Sequence, residues 1–372
     1  RATGNDCFSA QPSVHDWYET IKLNYGVDFQ NGMKLYPDPR PPLWDKMKDI
    51  LLYWAGQGVD GFRCDMAGMV PVEFWSYAMG EIRRKYPEIL FIAEIYEPHR
   101  YHDFLRAGFN YLYDKEGMYN ALFDVLRWGH PASRLSEVWK NLEGLEIRML
   151  RFIENHDEVR LASFAFAGDA MAGIPAMIAA AAMHSGPVMI YNGQETGEYA
   201  EGSQGFSGED GRTSIFDYTT MPCFQKWMGD GSFSGDQLED WQRRLMDFYR
   251  GVLPGLYQAP AVKSGAFYDL MWVNQQPPCP DPGKVFSWLR YGEAQILLFI
   301  LNFSREPLPA FRLFIPVHAF DTMQLNSNDT FLLRGFGDAK EYLRFTGYMA
   351  AYEGLEMQMQ ALGYGIYEIQ RV

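Results

Sequence analysis

Two short runs decide the fold: Val59-Asp60-Gly61-Phe62-Arg63-Cys64-Asp65-Met66 and Ile89-Leu90-Phe91-Ile92-Ala93-Glu94. Each is a brief apolar stretch ending in a carboxylate. Between them, Val72 to Tyr86 carries a helical pattern that Pro87 closes. A buried strand, a helix and a second buried strand make a parallel β/α unit. Further on, Asn110–Tyr113, Arg148–Ile153 and Val188–Tyr191 read as three more strands. Helices are expected at Trp44–Gly56, Tyr101–Ala107, Met118–Arg127, Leu135–Leu142, Ala170–His184 and Gln237–Arg250. Residues 1–43 and 202–235 are rich in Gly, Asp, Ser, Asn or Pro and read as loop.

The alternation stops near Ala259. Beyond it Phe267–Val273, Val285–Arg290, Ala294–Asn302, Phe311–Ile315, Phe331–Arg334, Glu356–Leu362 and Tyr364–Ile369 read as strands. Met357, Met359 and Ala361 alternate with Gln358 and Gln360, the pattern of a half-buried strand. An all-β C-terminal domain, a sandwich, is expected, with its boundary near Pro260.

Composition narrows the functions. The formal charge is −14, from 33 Lys and Arg against 47 Asp and Glu, which argues against nucleic acid as a partner. Aromatics make up 16%, too many for a disordered chain; they serve large cores first and flat ligands such as sugar rings second. Cys7, Cys64, Cys223 and Cys279 are widely spaced, so no zinc or redox motif is read, free buried thiols are expected and the compartment stays open. Pro175, His184, Ser185, Gly186 and Pro187 interrupt the apolar stretch Ala170–Ile190, so no membrane span is expected.

The strand ends carry the chemistry. Strand side chains alternate, so Arg63 and Asp65 share one face, and Phe62 and Cys64 the other. In a barrel, Asp65 would stand at the C-terminal rim. A neighbouring guanidinium keeps an aspartate ionised, as a nucleophile requires; a structural ion pair is the alternative. Glu94 ends four apolar residues at the same kind of position. Partial desolvation and nearby negative charge would suit it to general-acid work. Phe152-Ile153-Glu154-Asn155-His156-Asp157 follows another buried strand, and its polar residues are costly to desolvate unless they bind something. Two carboxylates ~5–5.5 Å apart are what retaining glycoside hydrolysis needs. A third carboxylate favours the charged transition state.

These segments resemble glycoside hydrolase family 13, the α-amylase family. GFRCDM at 61–66 is similar to its nucleophile segment, FIAE at 91–94 to its acid/base segment, and FIENHD at 152–157 to the segment of its transition-state aspartate. GPVMIYNGQETGE at 186–198 resembles its last barrel strand and loop, continued by GEDGRTSIFDY at 208–218. The resemblance implies a (β/α)8 TIM barrel followed by the β domain. It makes Asp65 the nucleophile, Glu94 the acid/base and Asp157 the transition-state stabiliser, with Arg63 and His156 touching the sugar. It implies no cofactor for the chemistry and admits a structural calcium whose ligands this sequence does not assign.

The family's barrel opens with three further strands, the third ending in Asn-His. No such segment precedes Asp65, and five strands stand where closure takes eight. The expectation is therefore an N-terminally truncated barrel: 1–43 a remnant of the loop domain after the third strand, 44–259 the barrel portion and 260–372 the β domain. Such a piece, with open strand edges, is expected to fold poorly alone. The implied activity is hydrolysis of α-1,4-glucosidic bonds in starch- or glycogen-like glucans or maltooligosaccharides. The alternatives are glucan transfer through the same covalent intermediate and a non-catalytic glucan-binding relative. Tyr96, Tyr191 and Trp227 are candidates for stacking on sugars. Glu195 and Glu198 read as solvated surface, and Asp210 with Arg212 as an ion pair ordering its loop.

Overall fold

In the computed structural model, Gly61–Cys64, Leu90–Ala93 and Tyr111–Tyr113 lie side by side as three parallel strands. Residues 2–142, 144–205, 208–213, 215, 220–338 and 340–372 are described. Gly61 opens the first strand opposite Leu90, and a Cβ on it would meet the Leu90 carbonyl oxygen at 2.7 Å. The register pairs Arg63 with Ile92 and Cys64 with Ala93, so Asp65 and Glu94 leave adjacent strands at the same end. Ala93 pairs with Leu112, which brings Tyr113 to that end as well.

Contacts divide the chain into two compact units, Arg1–Tyr113 and Asp114–Val372. In the first, the helices Pro42–Gly56, Val72–Lys85 and Tyr101–Ala107 accompany the strands. Its core is aromatic: Phe74 packs edge-on against Tyr25, Trp44 and Trp75, and Phe109 against Trp75 and Phe91. Many of the chain's rings are thus spent on packing. On the first helix Trp44 is buried, Met47 and Leu51 are half-buried, and Ile50 and Trp54 are exposed. The stretch read as loop holds a two-residue antiparallel ladder, Val27–Asp28 with Lys34–Leu35.

In the second unit, Asn120–Trp128, Arg134–Leu142 and Gly173–Ala182 are helical, as the periodicity suggests. The fourth expected strand shrinks to Met149–Leu150. The fifth is only a parallel bridge of Val188 to Arg151, because Gly186 and Pro187 interrupt the run just before it. Among the described residues no closed barrel forms, and the expected truncated barrel portion is a set of short parallel strands. Pro222–Met228 is a helix inside the expected loop. Glu239 caps Asp240–Asp247 through a reciprocal bond pair with Gln242, so this helix starts later than its apolar pattern.

After the short helix Pro260–Lys263 the chain is mainly antiparallel β. Six strands run in the order Glu341–Thr346, Thr330–Gly335, Tyr364–Arg371, Gln295–Asn302, Val285–Gly292 and Ala266–Asp269. Leu308–Leu313 and Leu355–Met359 form a separate ladder. Leu289, Leu298, Phe331 and Leu333 from the first sheet share one core with Leu313, Leu355 and Met357 from the second. Leu355, Met357 and Met359 are buried and Glu356 and Gln358 exposed, so the alternation is real; the strand ends at Met359, before Ala361. Glu341–Thr346 is a strand the sequence reading left out, and Val317–Thr322 a helix. Cys64 and Cys223 are buried free thiols, whereas Cys7 and Cys279 are only half-buried.

Candidate active site

Parallel register delivers Asp65, Glu94 and Tyr113 to one end of three adjacent strands, and Arg63 ties them together. Its Nη2 lies 2.9 Å from Glu94 Oε2, its Nη1 pairs with Asp65 Oδ1, and its Nε donates to the Tyr113 hydroxyl at 3.2 Å. The guanidinium also stands over the Tyr113 ring, 5.4 Å from its centroid. Burial opposes the Arg63 charge, but Tyr113, Glu94 and Asp65 outweigh it and push the pKa up.

Environment separates the two carboxylates. Asp65 is 76% exposed, so it is open to a ligand while one oxygen is held by Arg63. Glu94 is 3% exposed and immobilised: Oε2 accepts from the Met66 backbone N–H at 2.6 Å and Oε1 from the Tyr96 hydroxyl at 2.5 Å. Met66 is left-handed, with φ 42° and ψ 44°, a costly backbone for a non-glycine residue. That turn directs its amide to Glu94. The Arg63 cation lies directly against Glu94, and the Asp65 carboxylate shares that guanidinium. Tyr96, a candidate stacking residue, spends its hydroxyl on Glu94.

In the second unit, Phe152 and Ile153 are fully buried and lead into Glu154 and Asn155, both also buried. Asn155 Oδ1 accepts the backbone N–H groups of Asp157 and Glu158, each at 2.9 Å, so it shapes the turn. Glu154 accepts from Arg160 Nη1 at 2.8 Å and from the Leu161 N–H at 2.7 Å. His156 and Asp157 therefore emerge together, with Nε2 and Oδ2 3.1 Å apart and both side chains partly exposed. Arg212 Nε donates to the Asp157 carbonyl at 2.7 Å, while its Nη1 pairs with Asp210 at 2.7 Å. The expected Asp210–Arg212 pair thus forms, and it holds the Asp157 backbone too.

The remaining candidates go elsewhere. Tyr191 lies under the Arg160 guanidinium, 4.0 Å from centroid to Cζ, and its hydroxyl donates to the Thr213 carbonyl. Trp227 packs on Phe224 and Phe233. Glu198 is not solvated surface. It is buried and accepts the Cys223 N–H at 3.0 Å at the start of the Pro222–Met228 helix, where a carboxylate offsets unpaired amides. Glu195 is half-buried. Among the described residues no three His, Cys, Asp or Glu side chains converge to hold a metal.

Tyr113 and the Met66 amide were missed as site residues, while Tyr96 and Arg212 were read in other roles. Tyr113 carried a signal, since it ends a strand as Asp65 and Glu94 do. The Met66 and Arg212 contacts depend on backbone geometry that no residue pattern announces.

Parallel strands that carry paired polar groups to one end are the arrangement of an α/β enzyme site. Residues 13–215, more than half of the chain, match the family model for the α-amylase catalytic domain, and the chain belongs to that family of enzymes. It is similar to an alpha-1,4-glucan:maltose-1-phosphate maltosyltransferase of Cereibacter sphaeroides, 27% identical over 196 residues, covering 50% of this chain and 31% of that protein. The protein of the same name from Methylacidiphilum infernorum (isolate V4) is 36% identical over 112 residues, 27% of this chain and 16% of its own. The chain thus spans under a third of the length of these curated relatives.

Solved structures share the fold. A noncanonic maltogenic α-amylase of Thermotoga neapolitana has a TM-score of 0.63 at 20% identity, covering 92% of this chain and 66% of that one. The α-amylase of H. orenii has a TM-score of 0.63 at 17% identity, covering 96% and 67%. No helix among the described residues is long and apolar enough to cross a membrane.

Proposed function

We propose that the chain carries the catalytic carboxylates of a retaining enzyme acting on α-1,4-glucans or maltooligosaccharides. The observation that carries this reading is the shared hold of Arg63 on an exposed Asp65 and a buried Glu94. Asp65 attacks the anomeric carbon as Glu94 gives its proton to the leaving glycosidic oxygen, forming a covalent glycosyl ester. Glu94 then takes a proton from the incoming hydroxyl, which releases the sugar with its configuration retained. Asp157 stabilises the positive charge that develops at the ring, and Arg63 and His156 bind sugar hydroxyls. Residues 44–259 form the catalytic portion in this reading, 260–372 the β domain and 1–43 a loop region.

Hydrolysis by water is the leading form of the reaction. Transfer to a second glucan is the alternative, favoured by the printed names of the curated relatives. Incubation with maltoheptaose, with products resolved by length, tests both. Only shorter sugars support hydrolysis, and products longer than seven units support transfer. A folded protein that leaves maltoheptaose intact overturns the reading.

A further inference from the structure

A cavity of about 680 Å³ lies wholly within the second unit, and none of Asp65, Glu94 and Asp157 lines it. Its volume falls in the ~300–1,000 Å³ range of small-molecule sites. Three rings face it from three segments: Phe164, Tyr199 and Trp241. Phe164 is 69% exposed, so its ring is open to a ligand. Trp241 is fixed: its ring sits on the Cα of Gly197, where a Cβ would come within 2.5 Å, and its indole N–H donates to Glu239 at 3.0 Å. The polar part of the lining is acidic, with Asp169, Glu201 and Glu209 and no Lys or Arg among the described lining residues.

Flat apolar faces beside hydroxyl-accepting carboxylates match one ligand chemistry well. A neutral sugar chain lays its C–H faces on rings and donates its hydroxyls to carboxylates. An anionic sugar phosphate is repelled by the same rim. We propose that this cavity is an auxiliary site for a neutral α-glucan chain, lined by none of the proposed catalytic carboxylates, and that it does not take a phosphorylated donor. The proposal rests on the glucan reading given above. It has a structural link to the reacting end: Glu209 immediately precedes Asp210, whose partner Arg212 holds the Asp157 carbonyl. A chain anchored there favours long substrates over short ones.

Kinetics on maltoheptaose and maltotriose with the Trp241→Ala and Phe164→Ala proteins tests this. The expected result is a KM for maltoheptaose raised about tenfold by loss of an aromatic face, with kcat and maltotriose turnover unchanged. Phe164 is exposed, so its variant folds even where Trp241→Ala loosens the loop. Active wild-type protein with Phe164→Ala unchanged on maltoheptaose overturns the auxiliary site and leaves the proposed function standing. An equal loss on both sugars also overturns the site, since it assigns the effect to folding or to the cleavage end. Wild-type protein inactive on both sugars removes the glucan reading itself.

Discussion

Arg63 lies 2.9 Å from the Glu94 carboxylate and also bonds Asp65, so one guanidinium sets the position of both proposed catalytic groups. Adjacent parallel strands make this automatic. Once Cys64 pairs with Ala93, the next residues on each strand are Asp65 and Glu94, and the residue one step back from Cys64 reaches both.

Arg63→Lys keeps the charge and loses the planar fork that bridges two carboxylates. The variant is expected to keep its thermal midpoint near that of the wild type while kcat/KM on maltoheptaose falls by on the order of 10²-fold, as for loss of one preorganised donor. An unchanged kcat/KM would show that the bridge is structural only.

Glu94→Gln removes the transferable proton and keeps the shape. Turnover of maltoheptaose is expected to drop by about 10²–10⁴-fold, the usual worth of a general acid. An α-glucosyl fluoride, whose leaving group needs no proton, should be spared in the glycosylation step. Equal losses on both substrates would assign Glu94 to binding instead.

Much of this was legible because it depends on residue order. Strand alternation placed Arg63 with Asp65, and a charge closing the apolar run Leu90–Ala93 marked Glu94. What escaped the sequence depends on packing and backbone geometry. Glu198 looks like surface until the Pro222–Met228 helix turns its amides toward it. Val188–Tyr191 has a strand's composition but pairs only through Val188. Glu341–Thr346 alternates weakly and becomes a strand by pairing with Thr330–Gly335 at the sheet edge.

Burial, and then the Arg151 charge, hold the His184 imidazole well below its ordinary value of 6.5. The folded chain therefore keeps it neutral where the unfolded chain protonates it. Its contribution to stability is complete above about pH 6.5 and is lost as pH falls below that, at up to ~1.4 kcal/mol per pH unit. Urea unfolding at pH 7.5 and 5.5 should show the loss before carboxylates titrate. Equal unfolding free energies at the two pH values would contradict it.

Gly197 has φ +74°, and a Cβ there would meet the Trp241 ring at 2.5 Å. Gly197→Ala combines a left-handed backbone with a ring that must move, and is expected to cost about 1–3 kcal/mol. Denaturant midpoints of the two proteins measure it, and an unchanged midpoint would mean that the loop shifts freely.

The central claim is that Asp65 forms the covalent intermediate. Trapping with a 5-fluoro-α-glucosyl fluoride, followed by peptide mass mapping, tests it most directly. The account predicts one added glycosyl mass on the peptide containing Asp65 and none in the Asp65→Asn protein. A label on another carboxylate, or a label that survives Asp65→Asn, would contradict it.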